Sequence, residues 1–332
     1  MNKPDAIRQP LGITVATFAA IMALVMVRSI TVPYPAETAL TADMPLGALI
    51  DSLFHNTVVA NAAGAALALL NAILLSGIIV RYSVSPVRTY LPITLYAMTA
   101  FGLCVPFGSV SAMLATLLLL VSTNRMIDSF KRSYQFCNVF KSAFFVGMIP
   151  MLYAPATLLL PIIPITLVLY RRTLRETITA LTGAVLPTII CSVFWWMAGR
   201  PWSHICTCLW EGMTTSTLPS LATFAADAPL GLKIYSALCA LLTIASIATI
   251  IARITTIRTR AKKIYLHFIW LAALCAAMLM LPGSDIAAIA ITAVPLSALI
   301  SAFFTNYRGW LSFAVYLVIL SALTVINLLP LL

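Results

Sequence analysis

Residues 122–176 read STNRMIDSFKRSYQFCNVFKSAFFVGMIPMLYAPATLLLPIIPITLVLYRRTLRE, and this stretch decides the fold. Basic side chains lie at both of its ends, and an apolar run with four prolines lies between them: Arg125, Lys131, Arg132 and Lys141; Arg171, Arg172 and Arg175; Pro150, Pro155, Pro161 and Pro164. Lys and Arg accumulate in the cytoplasmic loops of membrane proteins. We therefore expect both ends on one side of a membrane. The apolar run must then enter and return, breaking at its prolines and turning near Tyr153.

The composition excludes a soluble domain. Of the 332 residues, 62% are hydrophobic and only 9% are charged, and the mean hydropathy is +1.04. Soluble domains carry about 25% charged residues. Apolar runs suited to helices that cross a bilayer, which need about 20 residues, recur along the chain. An outer-membrane barrel would instead need alternating strands of roughly ten residues. We therefore expect an all-α, polytopic membrane protein that forms a single domain over residues 1–332.

About eleven segments are predicted to cross the membrane, with the N-terminus cytoplasmic and the C-terminus outside. They are Leu11–Val27, Val58–Val80, Leu91–Cys104, Ser109–Val121, Ala143–Leu152, Ala156–Tyr170, Thr177–Ala198, Leu230–Ala252, Ile264–Leu281, Ile286–Phe304 and Trp310–Leu329. On this topology 17 of the 20 Lys and Arg residues are cytoplasmic, the exceptions being Arg28, Arg200 and Lys233. Six of the nine acids lie outside. This is the positive-inside pattern of membrane proteins, and no compact basic domain remains that would bind nucleic acid.

Two proline-containing pairs of segments, residues 91–121 and 143–170, are shorter than usual spans. Short helices are tolerated where protein covers them or where a water-filled cavity receives their ends. We expect a dent that reaches into the membrane from the outer face. Tilting with local thinning of the bilayer is the alternative, and either pair could also be re-entrant.

Two long outer loops, residues 31–56 and 199–229, hold most of the outer polar side chains. Apolar residues recur at helical spacing in the first loop and predict an amphipathic helix on the membrane surface (Leu46, Leu49, Ile50, Leu53 and Phe54). Asp43 is its expected N-cap, and Pro45 falls in its first turn.

The motifs of common enzymes and carriers are absent. The chain has no GxxxxGK[ST], GxGxxG, HExxH or GxSxG element. No acid stands in the middle of a predicted span, which counts against ion-coupled transport. No two glycines are four residues apart, so the GxxxG packing motif is also missing. Cys206, Cys208 and His204 match no standard zinc spacing, so no metal site is predicted from the cysteines.

The outer polar residues form the candidate site. Glu37, Asp43 and Asp51 are candidate catalytic acids, because a general base needs only a position within hydrogen-bond reach of the proton it removes. No cofactor is predicted, although a divalent metal at these acids stays open. Arg200, with His204 beside it, is expected to bind a phosphate through its planar guanidinium. The alternatives are a solvated, capping role for the acids and a lipid-anchoring role for Arg200.

GMIPMLYAP, LYRRTLRETITALTGAVLP and WWMAGRPW stand between Val139 and Trp202. This segment resembles an uncharacterised family of Bacteroidetes integral membrane proteins. In that family an R-x-x-x-R-E element precedes a helix with Gly and Pro, and the matching positions here are Arg171, Arg175, Glu176, Gly183 and Pro187. The resemblance implies a lineage and no activity.

The order of segments from Leu11 to Arg172 is similar to that of the GT-C class of membrane glycosyltransferases, which use polyprenyl-phosphate sugars. In that class the catalytic acid sits on the first outer loop, which implies Glu37, Asp43 or Asp51. The paired acids common in the class are absent from residues 31–56, and Leu152 and Tyr153 replace a lysine often found at the fifth span.

The leading hypothesis is thus a GT-C-like protein of the bacterial inner membrane, active or degenerate, which acts on a polyprenyl-phosphate-linked or other lipid substrate at the periplasmic face. One alternative is a non-catalytic subunit or scaffold that binds other envelope proteins. A weaker one is a transporter of an amphiphile. Membrane lipids are expected partners in each case.

Overall fold

The computed structural model describes residues 11–31, 44–54, 56–84, 89–103, 105, 107–130, 134–214, 228–306 and 310–328, except for the side chains at positions 29–31, 51 and 311. Every regular element in these ranges is a helix, which confirms the all-α prediction for them. The helices are α1 (Leu11–Thr31), α2 (Pro45–Leu53), α3 (Thr57–Arg81), α4 (Leu91–Gly102), α5 (Val110–Asp128), α6 (Phe136–Leu152), α7 (Ile162–Leu169), α8 (Leu174–Met197), α9 (His204–Thr214), α10 (Leu230–Ala252), α11 (Thr259–Leu279), α12 (Ala288–Asn306) and α13 (Trp310–Leu328). A 3₁₀ segment, Ala154–Leu159, lies between α6 and α7.

Seven of these helices are long and apolar enough to cross a membrane, namely α1, α3, α5, α8, α10, α11 and α12. Shorter apolar stretches lie in α4, in α6, in the 3₁₀ segment with α7, and in α13. Together they correspond segment by segment to the predicted set. The chain therefore has the helices of a multi-pass membrane protein, while the number of crossings and their direction stay predictions.

One end of the helical bundle, here called the basic end, gathers the ends of α3, α5, α6, α7, α8 and α11. The contacts that join them are Tyr82 Oη to Asn124 Oδ1 (2.7 Å), the Arg260 guanidinium over the Tyr82 ring (5.0 Å), the Phe130 ring to the Tyr170 ring (5.7 Å) and Gln135 N to a Glu176 carboxylate oxygen (2.9 Å). Both ends of the stretch at residues 122–176 thus meet here, as the in-and-return path requires.

The opposite end, here called the long-loop end, carries the two long connections. Met44, just before α2, packs with Ala154 of the 3₁₀ segment and Cys208 of α9. The backbone N–H of Gly283, in the turn before α12, donates to the carbonyl of Met213 (3.0 Å). The described parts of these two connections, residues 44–54 and 199–214, therefore meet at the same helix ends.

The centre of the bundle is formed by α4 and α12. Every residue of α4 is buried, and α12 is buried along most of its length. Buried serine and threonine hydroxyls in these two helices donate to carbonyls one turn earlier in the same helix (Thr94, Thr99, Ser297, Ser301 and Thr305). Each hydroxyl is thus satisfied inside an apolar core without a partner from another helix.

Protein covers the short helices at the long-loop end. Gly102, at the end of α4, lies against the ring of Tyr235, whose hydroxyl donates to the Met98 carbonyl (2.9 Å). Phe107 and Tyr153, at the two turns, are both buried. Helices α2, α9 and α10 thus contact the described residues of these short segments, while the dent in the membrane stays a prediction.

Helix α5 is longer than predicted. It continues past Val121 to Asp128. Ser122 and Thr123 are buried rather than solvated, because Ser122 Oγ donates to the Ser142 carbonyl of α6 (2.9 Å) and Thr123 faces α11. A run of polar residues that looked like a loop is therefore a contact surface between helices.

Helix α6 also departs from its predicted limits. It begins at Phe136 rather than at Ala143, and it continues through Pro150 to Leu152. Pro150 removes the backbone N–H that would bond to the Val146 carbonyl, and the helix ends two residues later. The chain leaves the helix at Tyr153, whose backbone is extended.

Helix α6 packs most extensively against α8. Gly147 of α6 faces the carbonyl of Ala184, and Gly183 of α8 faces the carbonyl of Phe140. One glycine on each helix thus allows the backbones to approach closely, which is the effect that small residues have in membrane helix pairs. The two helices approach closely although the sequence has no GxxxG motif, so that motif search did not predict the contact.

Candidate functional site

Arg200 and His204, the two residues predicted to bind phosphate, are in contact. Arg200 follows the end of α8, and His204 is the first residue of α9. An Nη atom of Arg200 lies 3.1 Å from His204 Nε2. A guanidinium can only donate, so Nε2 accepts and the neutral ring carries its proton on Nδ1. The structure thus brings together the two residues that were predicted to bind phosphate.

Trp195 supports this pair from the last turns of α8. The Arg200 guanidinium lies 4.8 Å from the centroid of a Trp195 ring, and the Trp195 and His204 rings are also 4.8 Å apart. A cation over an indole face is attracted by the ring quadrupole. Stacking also orients the planar guanidinium before a ligand arrives, while the Arg200 side chain stays exposed.

The first outer loop reaches the same place. The side chain of Met44 packs against Cys208, whose Sγ lies 3.5 Å from His204 Nε2. Met44 is also the N-cap residue of α2, so the prediction that Asp43 caps this helix is wrong. Asp43 precedes Met44 directly in the chain.

The three candidate acids are not placed by side chain. Asp51 lies in α2, and its side chain is outside the described part of the structure; Glu37 and Asp43 lie wholly outside the described residues. Their catalytic role therefore stays a prediction. The helix predicted to carry Asp51 is confirmed, with Leu46 and Ile50 packed against the core and Leu49 and Leu53 exposed, while its place on the membrane surface stays a prediction.

A buried carboxyl group that the sequence had placed on the solvated outer face lies below α9. Asp285, in the turn before α12, is only 5% exposed, and the hydroxyl of Tyr153 donates to its Oδ1 (2.8 Å). Burial raises the pKa of the Asp285 carboxyl above its ordinary value, while hydrogen bonds from Tyr153 and from the backbone of Ala287 and Ala288 oppose the rise. The hydrogen bond between Tyr153 and Asp285 thus joins the turn after α6 to the turn before α12.

At the basic end, Glu176 of the R-x-x-x-R-E element has a structural role. Its carboxylate accepts from the backbone N–H of Gln135 (2.9 Å) and of Thr173 (3.2 Å), the residues that cap α6 and α8. Arg172 pairs with it at 3.3 Å, and both side chains are buried. The motif thus joins two helix starts.

Arg28 and His267 are two further polar residues whose surroundings the sequence did not reveal. An Nη atom of Arg28 donates to Oδ1 of the buried Asn327 in α13 (3.0 Å), which explains a cation on the outer half of α1. His267 is buried in α11. Asn327, the partner of Arg28, and Thr123, which contacts His267, are distant from them in sequence, so no local pattern predicted these contacts.

Among the described residues, no group of three or more His, Cys, Asp or Glu side chains could hold a metal ion. Cys206 is a free thiol. Comparison with protein-family models, curated proteins and solved structures gives no match. The function must therefore be argued from the site itself.

Proposed function

We propose that this chain is a GT-C-like protein of the bacterial inner membrane that binds the phosphate of a polyprenyl-linked or other lipid substrate at its long-loop end. The contact between Arg200 and His204 over Trp195 carries the proposal. In this arrangement the chain crosses the membrane about eleven times, the basic end is cytoplasmic, and the long-loop end is periplasmic.

The surroundings of Arg200 suit a lipid headgroup. Trp196, Trp202 and Trp210 are all more than half exposed near it, and exposed tryptophans favour the level of lipid headgroups. A guanidinium held at that level meets a phosphate where water and hydrocarbon meet. Its forked N–H groups match phosphate oxygens, and such charge-assisted hydrogen bonds are among the strongest in proteins.

The reaction, where the chain is active, would use an acid of the first outer loop. Met44 brings that loop beside His204, so a carboxylate at Asp43 or Asp51 would act next to the bound phosphate. There it would accept a proton from the hydroxyl that attacks the lipid-linked sugar. The phosphate would leave with the lipid, and Arg200 would balance its charge.

Binding tests the phosphate site directly. Purified protein in nanodiscs is titrated with polyprenyl phosphate, and Arg200→Ala is expected to weaken binding about 10- to 100-fold, since a hydrogen bond to a charged group is worth about 1.5–3 kcal/mol. Lys233→Gln is the matched control, because Lys233 lies in the first turn of α10 at the same end. Equal affinities for Arg200→Ala and wild type would remove the phosphate site from the proposal.

Lipid-linked glycan profiles test the chemistry. In a deletion strain, a lipid-linked species should accumulate that wild type clears and that a Glu37→Gln, Asp43→Asn, Asp51→Asn triple variant does not. If the triple variant clears it fully, the outer acids perform no chemistry. The scaffold alternative then gains support if reversing the charge at Arg125 or Arg171 disrupts assembly.

A further inference from the structure

A small cavity lies between α5, α6, α7, α8 and α11, about 12 Å along α11 from its start at the basic end. Its polar lining consists of one imidazole and four hydroxyls (His267, Ser122, Thr123, Ser142 and Thr166), and the rest is aliphatic or thioether. The space suits one water-sized molecule. The proposed phosphate site is at the other end of the bundle.

His267 has an unmet hydrogen-bonding need at this cavity. The side chain is 3% exposed, and its Nδ1 has no partner among the described residues. Nε2 lies 3.5 Å from the hydroxyl of Thr123, which is a long contact. If Nε2 donates to Thr123, Nδ1 needs a donor; if Thr123 donates to Nε2, the proton is on Nδ1 and needs an acceptor. Each tautomer leaves Nδ1 needing a partner.

The neighbouring hydroxyls are already used. Ser122 and Ser142 donate reciprocally to each other's carbonyls (2.9 and 3.1 Å), and Thr166 donates to its own helix. These hydroxyl oxygens keep acceptor capacity that faces the cavity, but none supplies the partner that Nδ1 lacks.

We propose that this cavity is a water-binding site within the membrane, and that His267 Nδ1 and the cavity hydroxyls hold the water. Water is the occupant that both donates and accepts, so it satisfies either tautomer of the ring. A metal ion does not fit, because the cavity lining offers one imidazole and no carboxylate or thiolate. An anion does not fit either, because no Lys or Arg lines the cavity.

The site gives a function to a residue that membrane proteins otherwise avoid. Ionisable side chains inside membrane segments are rare and mark sites where water, protons or polar substrates reach the interior. An imidazole bonded to water can exchange its ring proton with that water. The site would therefore place exchangeable protons deep within the bundle.

Water-edited solid-state NMR of the full-length protein in liposomes, labelled with ¹⁵N-histidine, tests the proposal. The chain has three histidines, so comparison with His267→Gln assigns the signals of His267. We expect magnetisation to pass from water to the His267 ring nitrogens. No transfer in the wild-type protein would overturn the proposal.

A cavity-filling pair of variants supplies the matched comparison. Val146→Ile adds one methylene at a residue that lines the cavity, whereas Val110→Ile adds the same group at a buried valine outside it. The transfer to His267 should be lost in Val146→Ile and kept in Val110→Ile. Transfer that survives unchanged in Val146→Ile would place the water elsewhere and refute the site.

Discussion

Changing Glu176 to Gln should destabilise the protein far more than its position near a helix start suggests. One carboxylate oxygen of Glu176 accepts from Gln135 N (2.9 Å) and Arg172 Nη (3.3 Å), and the other accepts from the N–H and hydroxyl of Thr173 (3.2 and 3.3 Å). A glutamine would present an NH₂ group to one of these pairs of donors. It would also leave the Arg172 side chain, which is only 8% exposed, without a carboxylate.

The expected cost of Glu176→Gln follows from these contacts. Two lost hydrogen bonds to a charged group, at about 1.5–3 kcal/mol each, give about 3–6 kcal/mol, which overlaps the cost of about 3–5 kcal/mol for breaking a buried ion pair. The control is Asp128→Asn, because the pair of Asp128 with Arg81 is 3.5 Å long and the Arg81 side chain is 61% exposed. That change should cost less than about 1 kcal/mol.

Reversible unfolding in mixed detergent micelles, followed by circular dichroism, measures both free energies of unfolding. If Glu176→Gln costs no more than Asp128→Asn, the carboxylate does not hold the starts of α6 and α8 together. The reasoning about the basic end would then be wrong, even if both variants insert normally.

Three further changes test other contacts by the same unfolding measurement. Gly147→Val should cost about 1–3 kcal/mol through overpacking, because a Cβ there meets a carbonyl of α8; a neutral result would mean that α6 and α8 can separate. Because burial raises the pKa of Asp285, its contribution to stability is present below the ordinary aspartate pKa of about 3.9 and is lost as pH rises through the folded-state pKa. Asp285→Asn should therefore reduce the loss of stability that occurs as pH rises. An unchanged pH dependence of the free energy of unfolding would contradict the burial of this carboxyl. Asn327→Leu should lower the free energy of unfolding by about 1–3 kcal/mol, because it removes an acceptor of Arg28. The double variant Arg28→Leu, Asn327→Leu should recover part of this loss. If the costs of the two single changes simply add up in the double variant, the two side chains do not interact.

The sequence was sufficient for features that depend on local composition. Continuous apolar runs predicted the helices, and the paired basic clusters predicted that residues 122–176 return to their starting end. The spacing of Leu46, Leu49, Ile50 and Leu53 predicted α2. These patterns are local because lipid-facing surfaces must be apolar wherever a helix lies.

The sequence was insufficient where a polar residue finds a distant partner. Ser122 and Thr123 looked like the start of a loop until α6 and α11 covered them. Asp285 looked solvated until Tyr153 and α9 buried it. Helices α2, α9 and α10 likewise contact the short segments from parts of the chain that are distant in sequence.

The candidate site contains both contacts that local sequence could predict and contacts that depend on distant parts of the chain. Arg200 and His204 are four residues apart, so their contact lies within the reach of sequence reasoning. The support from Trp195 and the approach of Met44 through Cys208 depend on how α8, α9 and the first outer loop meet. The three acids of the first loop remain candidates from sequence alone.

The hydrogen bond between Tyr153 and Asp285 can form only late in the synthesis of the chain. The two residues are 132 positions apart, so at 5–20 residues per second the ribosome needs roughly 7–26 s to deliver the second after the first. During that interval α7 to α11 emerge, while the Tyr153 hydroxyl still lacks the carboxylate that accepts from it in the folded protein. A chain truncated before residue 285 would lack this acceptor, so the Tyr153 hydroxyl would have to be satisfied without the Asp285 carboxylate.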